Sequence, residues 1–194
     1  MRGASLAQTG AQDQKGGYIL AILILYATVE GQTAKIARFV ADEIRKAGAE
    51  PILFNADDPD PVSFEGVEKV ILAASVHERR HPKAFEVILA AESEALGTLP
   101  TLLLSVSLNA AFPEGLSEAR EYIVEMNMRT GFTPKRDALV AGAVRSGEYD
   151  YFAAQVVEHV VLRGRDDEDG GADQEFTDWA ALAETVASFL AEDA

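Results

Sequence analysis

Three apolar runs constrain the fold of this chain more than any other feature. They are YILAILILYA at residues 18–27, EKVILAASV at 68–76 and TLLLSVSL at 101–108. A strand with one face in water alternates apolar and polar residues, whereas a strand covered on both faces is apolar nearly throughout. The three runs therefore predict central strands of a parallel sheet with helices on both sides.

Helical patterns follow these runs. TAKIARFVADEIRKAG at 33–48 places apolar residues on one face and ends with Gly48, a typical helix stop. Further helices are predicted at Lys83–Ala95, at Ser117–Met128 and in FTDWAALAETVASFLAE at 176–192, where Thr177 or Asp178 would cap the helix.

Two more strands complete the alternation. EPILFNA at 50–56 is predicted at a sheet edge, because Pro51 cannot donate to a neighbouring strand. DALVAGAV at 137–144 is predicted as the last strand, followed by a helical pattern at 149–162 and an acidic, glycine-containing loop at 163–175. Five strands alternating with helices predict a doubly wound, five-stranded parallel α/β sheet.

Ligands of such sheets bind beyond the carboxyl ends of the strands. Three of the predicted strands end in polar turns, at Thr28–Thr33, Ser75–Arg80 and Ser105–Asn109. We therefore expect one site built from these three loops.

Charge and composition exclude several classes of protein. The 194 residues include 17 basic and 32 acidic ones, a formal charge of -15, which disfavours binding to nucleic acid or to anionic lipid. The chain has no cysteine, so disulfides and thiolate chemistry are excluded, and any redox chemistry needs a bound cofactor. A cysteine-free chain fits a reducing cytoplasm.

The domain organisation is simple. Residues 1–17 are rich in Gly, Ala, Gln and Ser and are predicted to form a disordered arm before a single domain at 18–194. The apolar run after Lys15 is too short to span a bilayer and lacks a cleavage pattern, so a buried strand is favoured over a signal peptide.

The turn at Thr28–Thr33 has the features of an anion site. Amides at the start of a helix have no partner within the helix, Gly31 lets the backbone curl, and Thr28 and Thr33 add hydroxyl groups. The turn lacks both the Gly-Lys-Ser/Thr ending of a nucleotide loop and a G-x-G-x-x-G pattern, so a monophosphate is favoured. A turn that merely caps its helix is the alternative.

The turn also resembles a known family. A strand, a Thr-x-x-Gly-x-Thr turn and a helix are similar to the phosphate loop of flavodoxin-like proteins, which bind FMN. YATVEGQT, AASV, LLSVSLNA, VAGAVR and FTDW occur in the order and spacing of the flavodoxin-like, quinone-dependent protoporphyrinogen oxidases of bacteria. This resemblance covers nearly everything after Ile22 and implies the strand order 2-1-3-4-5.

The resemblance also implies the site residues. The flavin would carry the redox chemistry, so no catalytic side chain is assigned. We expect the side chain of Glu30 to point away from the phosphate, because a carboxylate repels it. Ser105 and Ser107 would hydrogen-bond to the flavin ring. The implied cofactor-binding residues are Thr28, Val29, Glu30, Gly31, Gln32, Thr33, Ser75, Val76, His77, Ser105, Ser107, Leu108 and Asn109.

HERRHPK at 77–83 is the one basic cluster in this acidic chain. Arg79 or Arg80 could stabilise a reduced flavin or bind carboxylates of a substrate, and solvated surface arginines are the alternative. His77 and His81 lack further ligands at metal-binding spacing, so no metal is expected.

Three functions remain open at this point, and the last of them is a fold that has lost its flavin and acts only as an interaction domain. The first is an FMN-dependent oxidoreductase that takes hydrogens from a reduced tetrapyrrole and passes them to an acceptor such as menaquinone. The second is an electron carrier between protein partners, for which the acidic surface is suited. In the oxidase group the equivalent of residues 148–175 is usually a basic insertion, whereas here the segment is acidic, which argues against membrane contact. Peripheral attachment to the inner membrane stays open, as does pairing with a second copy of the chain.

Overall fold

The computed structural model describes residues 20–144 and 174–192. The strands are β1 (Ala21–Ala27), β2 (Glu50–Asn55), β3 (Val67–Ser75), β4 (Thr101–Ser107), β5 (Arg136–Ala141), β6 (Ala143–Val144) and β7 (Gln174–Glu175). The α-helices are α1 (Gln32–Lys46), α2 (Lys83–Ala91), α3 (Ser93–Thr98), α4 (Leu116–Thr130) and α5 (Trp179–Ala191), with 3-10 turns at Asn109–Ala111 and Pro113–Gly115.

The main sheet confirms the predicted fold class. Its five strands pair in parallel in the order β2-β1-β3-β4-β5. The strand that contains Pro51 lies at one edge, as predicted from the missing amide hydrogen. The strand order reverses between β1 and β3, so their carboxyl ends form the switch point where ligands of such sheets bind.

Helices cover both faces of the sheet. On one face, Ile36 and Val40 of α1 pack with Val186 and Phe189 of α5 against the central strands. On the other face, side chains of α2, α3 and α4, among them Phe85, pack against the opposite sides of the same strands. All seven residues of β4 are buried, which explains why Leu102, Leu103 and Leu104 stand in a row instead of alternating with polar residues.

The predicted last strand at 137–144 is wrong in one respect, because it is interrupted at Gly142. The parallel strand β5 ends at Ala141, and the next two residues form β6, which pairs antiparallel with β7. The amide of Gly142 donates to the carbonyl of Ser107 (3.1 Å), and its carbonyl accepts from the amide of Phe176 (3.0 Å). The end of the predicted acidic loop at 163–175 is therefore a short strand, Gln174–Glu175.

Other boundaries differ in smaller ways. The helix predicted at Lys83–Ala95 is two helices, because Glu92 leaves the helical conformation (φ −103°, ψ 16°) between α2 and α3. The arm at 1–17, the helical pattern at 149–162 and most of the acidic loop lie outside the described residues. Within the described ranges, no helix has the length and apolar character needed to cross a membrane.

Candidate cofactor site

An open cleft of about 450 Å³, open solvent included, lies at the carboxyl ends of β1, β3, β4 and β5. The three loops predicted from sequence meet there, together with the residues that follow β5. The lining residues are Thr28, Val29, Glu30, Gln32, Thr33, Ser75, Val76, His77, Val106, Ser107, Leu108, Gly142 and Ala143.

The turn after β1 is shaped by Gly31, which precedes α1. Its φ of 87° lies in the left-handed region of backbone conformation, which residues other than glycine rarely adopt. Its amide donates to Thr28 Oγ1 at 2.9 Å, which closes the turn on itself. No side chain caps α1, so its first amides are left for a ligand or for water, at the positive end of the helix dipole.

Buried oxygen atoms without a partner test whether the cleft fits a phosphate-bearing cofactor. Thr33 Oγ1, Ser75 Oγ and Gln32 Oε1 are buried and have no hydrogen-bond partner. Buried hydroxyls and amides almost always have partners in folded proteins, so such groups gathered in one cleft indicate a ligand. Hydroxyls and free amides suit a phosphate, and the residues present therefore fit FMN.

Glu30, whose side chain was expected to point away from the phosphate, lies against the loop that follows β3. Only 18% of its side chain is exposed, and Glu30 Oε1 lies 4.0 Å from Nδ1 of His77. The acidic residue of the turn and the histidine after β3 are thereby brought together on one side of the site.

His77 begins a tight hairpin that ends at Arg80. The two residues exchange backbone hydrogen bonds of 2.9 Å in both directions. The two residues between them, Glu78 and Arg79, have φ values of 48° and 65°. Two left-handed residues are typical of a type I′ turn, which favours Asn and Gly, and for other side chains each such residue costs roughly 1–2 kcal/mol.

Three predicted residues do not line the cleft: Gly31, which shapes the turn before α1, and Ser105 and Asn109. Ser105 is fully buried, and its hydroxyl shares a hydrogen bond of 3.0 Å with Nε2 of His81. Asn109 donates through Nδ2 to the hydroxyl of Tyr122 at 2.7 Å. The side chains of Ser105 and Asn109 therefore bond to other protein groups and support the loops of the cleft from below. Arg79 and Arg80 also turn away from it and pair with carboxylates of α4 and α2.

Burial lowers the pKa of His81 to about 4. The nearby carboxylate of Glu86 raises this pKa by a smaller amount, and the charge of Arg129 lowers it further. In the unfolded chain an ordinary histidine titrates near 6.5. Above pH ~6.5 His81 is neutral in both the folded and the unfolded chain and does not destabilise the fold. As the pH falls from ~6.5 towards 4, only the unfolded chain takes up the proton, so the folded state loses stability. We expect the free energy of unfolding to fall by roughly 3 kcal/mol over this window because of His81 alone.

The measurement is urea unfolding of the wild type and of His81→Gln at pH 4 to 7. The variant should lose this part of the pH dependence, because its amide does not titrate. Parallel stability curves for the two proteins would show that His81 takes up no proton on unfolding.

The segment before α5 closes over the start of α1. Gln32 Nε2 donates to Thr177 Oγ1 (2.9 Å), and that hydroxyl donates to the carbonyl of Ala141 (2.7 Å). Asp178 accepts from the amides of Ala180 and Ala181, so it is the cap of the last helix. The FTDW motif thus joins β5, α1 and α5 beside the cleft.

Sequence reasoning missed Val106, Gly142 and Ala143 as lining residues. The sequence signal that could have indicated the end of β5 was Gly142, since a glycine inside a strand pattern often marks an interruption of the strand or a close approach of backbone.

Residues 23–170 match the family described as the flavodoxin domain. The chain belongs to this flavodoxin family. Family membership agrees with the donor groups of the cleft and confirms the predicted cofactor, FMN.

Curated relatives and solved structures agree with this family. The protoporphyrinogen IX dehydrogenase [quinone] of Escherichia coli K12 is 27% identical over 171 residues, covering 88% of this chain and 92% of that protein. The Leishmania major protein of the same name is 24% identical over 174 residues, covering 87% and 74%. These relatives confirm the predicted class, a flavoprotein oxidoreductase.

Two solved flavodoxins share the fold at low sequence identity. One, from Pseudomonas aeruginosa and carrying a cysteine-to-serine substitution, is 15% identical with a TM-score of 0.51 and covers 88% of this chain and 99% of its own. Another, from Streptococcus pneumoniae, is 15% identical with a TM-score of 0.50 and covers 87% and 98%.

Proposed function

We propose that this flavodoxin-fold protein binds FMN in the cleft and oxidises a reduced tetrapyrrole, passing the hydrogens to a quinone. One observation carries this proposal: the relatives that match it along nearly all of their length are named for dehydrogenation of protoporphyrinogen IX with a quinone. When bound, FMN would supply the acceptance of hydride or electrons that the described side chains cannot supply.

The turn before α1 would hold the phosphate. The open amides of the first helical turn and the buried hydroxyl of Thr33 would donate to the phosphate oxygens, while the Gly31 turn keeps the backbone close. Gln32, fixed by Thr177, would hold the side of this pocket. In the described lining of the cleft there is no lysine or arginine, so the phosphate would be bound by dipoles rather than by a cation.

The loops after β3 and β4 would flank the flavin ring. Val76 and Leu108 offer apolar contact, and the hydroxyls of Ser75 and Ser107 offer hydrogen bonds to its polar edge. The amide of Val76 donates to the carbonyl of Val106 at 2.7 Å, so the two loops are tied together at the floor of the cleft. A rigid floor would position the ring without a conformational change.

The test is anaerobic turnover. The FMN-loaded chain is mixed with protoporphyrinogen IX and a water-soluble menaquinone analogue in the absence of oxygen, and porphyrin fluorescence is followed. We expect fluorescence to rise only when protein and quinone are both present. Protein without FMN serves as the control, since oxygen leaking into the cell would produce the same signal in both samples.

An electron carrier is the second candidate. It is favoured by the charge of -15 and by the lack of cations in the described cleft lining, where propionate groups of a tetrapyrrole would need partners. A chain that binds FMN, is reduced and reoxidised reversibly, and yet leaves protoporphyrinogen unoxidised would establish the carrier and contradict the oxidase.

A further inference from the structure

We propose that the ion cluster Arg80–Glu86–Arg129 is a positioning device that holds the His77–Arg80 hairpin at the cleft and thereby sets the affinity for FMN. This inference rests on the proposed function, because it assumes that the cleft binds the flavin. It assigns roles to three residues that do not line the cleft.

The centre of the cluster is the carboxylate of Glu86 on α2, whose side chain is 6% exposed. Its Oε2 accepts from Nη2 of Arg80 at 2.9 Å and from Nε at 3.2 Å. Its Oε1 accepts from Nη2 of Arg129 on α4 at 2.7 Å. One buried carboxylate therefore joins the end of the hairpin to α2 and α4.

The negative charge of Glu86 is paired with the positive charges of Arg80 and Arg129. Burial raises the pKa of Glu86, but the hydrogen bonds from Arg129 and Arg80 outweigh burial and hold that pKa below its ordinary value. Glu86 is therefore ionised throughout the physiological range, and the attachment of the hairpin does not depend on pH there.

Helix α4 also supports the neighbouring loop. Arg79 pairs with Glu118 and lies over the ring of Tyr122, with its guanidinium carbon 5.3 Å from the ring centre. The hydroxyl of Tyr122 accepts from Asn109, next to Leu108 of the cleft lining. Both loops that would flank the flavin ring are thus attached to one helix.

The hairpin needs such support because its own sequence opposes its shape. Glu78 and Arg79 are left-handed without being glycine or asparagine, and two backbone hydrogen bonds close the turn. Contacts outside the turn must offset this strain. The cluster supplies them on the side away from the cleft, which leaves His77 facing it.

Arg80→Ala is the informative change. Glu86 keeps its partner Arg129 in this variant, so the buried carboxylate stays paired and the fold is retained. We expect the dissociation constant for FMN to rise about tenfold, because the apparent dissociation constant is inversely proportional to the fraction of molecules whose hairpin is in place. At that loss the hairpin is in place in only about one molecule in ten, so amide exchange at His77 and Arg80 in the FMN-free protein should approach the rate of unprotected amides.

Two matched variants separate positioning from charge. Arg120→Ala removes an arginine of α4 that pairs with Asp137, away from the hairpin, and should leave both readouts unchanged. Arg80→Lys keeps the charge but loses the two-pronged hydrogen bond and should fall between wild type and Arg80→Ala.

Adding Glu78→Asn to Arg80→Ala provides a rescue, because asparagine tolerates the left-handed conformation. Restored amide protection together with restored FMN affinity supports the proposal. Protection restored without affinity would contradict it, as would equal losses of affinity in Arg80→Ala and Arg120→Ala. A wild-type chain that binds no FMN contradicts the proposed function instead, so the two failures are distinguishable.

Discussion

Gly31→Val is expected to purify largely without FMN and to bind added FMN about ten- to a hundredfold more weakly than the wild type. With a φ of 87° and no other protein atom within 4 Å of the added Cβ, the penalty is one of conformation rather than of collision. A β-branched residue there costs roughly 1–3 kcal/mol or moves the turn, and a moved turn misplaces the amides at the start of α1. FMN fluorescence quenching measures the affinity.

Gly48→Val is the matched control for this loss. Gly48 follows α1 at its other end, has a φ of 82°, and likewise has no other protein atom within 4 Å of an added Cβ. Both variants should therefore unfold at lower urea concentration than the wild type. Only the change at Gly31 should remove the cofactor. If both variants retained FMN at the wild-type stoichiometry, the turn before α1 would not be the phosphate site.

Lys69→Met is expected to lower the free energy of unfolding by about 2–4 kcal/mol. Lys69 of β3 is 4% exposed, and its ammonium donates to the carbonyls of Phe189 (3.0 Å), Leu190 (3.0 Å) and Glu192 at the end of α5. A methionine of similar length would leave these carbonyls without their donor. Urea unfolding followed by circular dichroism gives the change.

Lys46→Met serves as its control. Lys46 lines the same end of the fold, but its side chain is 70% exposed and pairs only with Glu43 on the same helix. Exposed pairs of this kind contribute little, so the urea midpoint should not move measurably. Equal midpoints for Lys69→Met and wild type would contradict the role of Lys69 as the cap of α5.

The sheet was predictable because its strands are buried on both faces. In β4 every position is covered, so Leu102, Leu103 and Leu104 follow one another without a polar residue between them. The split at Glu92 was not predictable, since helical spacing continues through it. The role of Lys69 was not predictable either, because its partners are backbone carbonyls that lie more than a hundred residues away in the chain.

The site was predictable to the extent that it follows the strand ends. The turns at Thr28–Thr33 and Ser75–His77 line the cleft because neighbouring parallel strands end at the same edge. Ser105 was assigned to the cleft because it lies near the end of its predicted strand, but its side chain points to the side of β4 where His81 lies. The roles of Arg79 and Arg80 depend on carboxylates of α2 and α4, which no local pattern connects with them.

The central claim is that the open amides at the start of α1 bind the phosphate of FMN. The most direct test is a crystal structure of the chain grown with saturating FMN. We predict phosphate oxygens within hydrogen-bonding distance of the amides of Gln32 and Thr33 and of Thr33 Oγ1. A structure with the flavin bound elsewhere, or with this turn occupied by water alone at full FMN saturation, would contradict the claim.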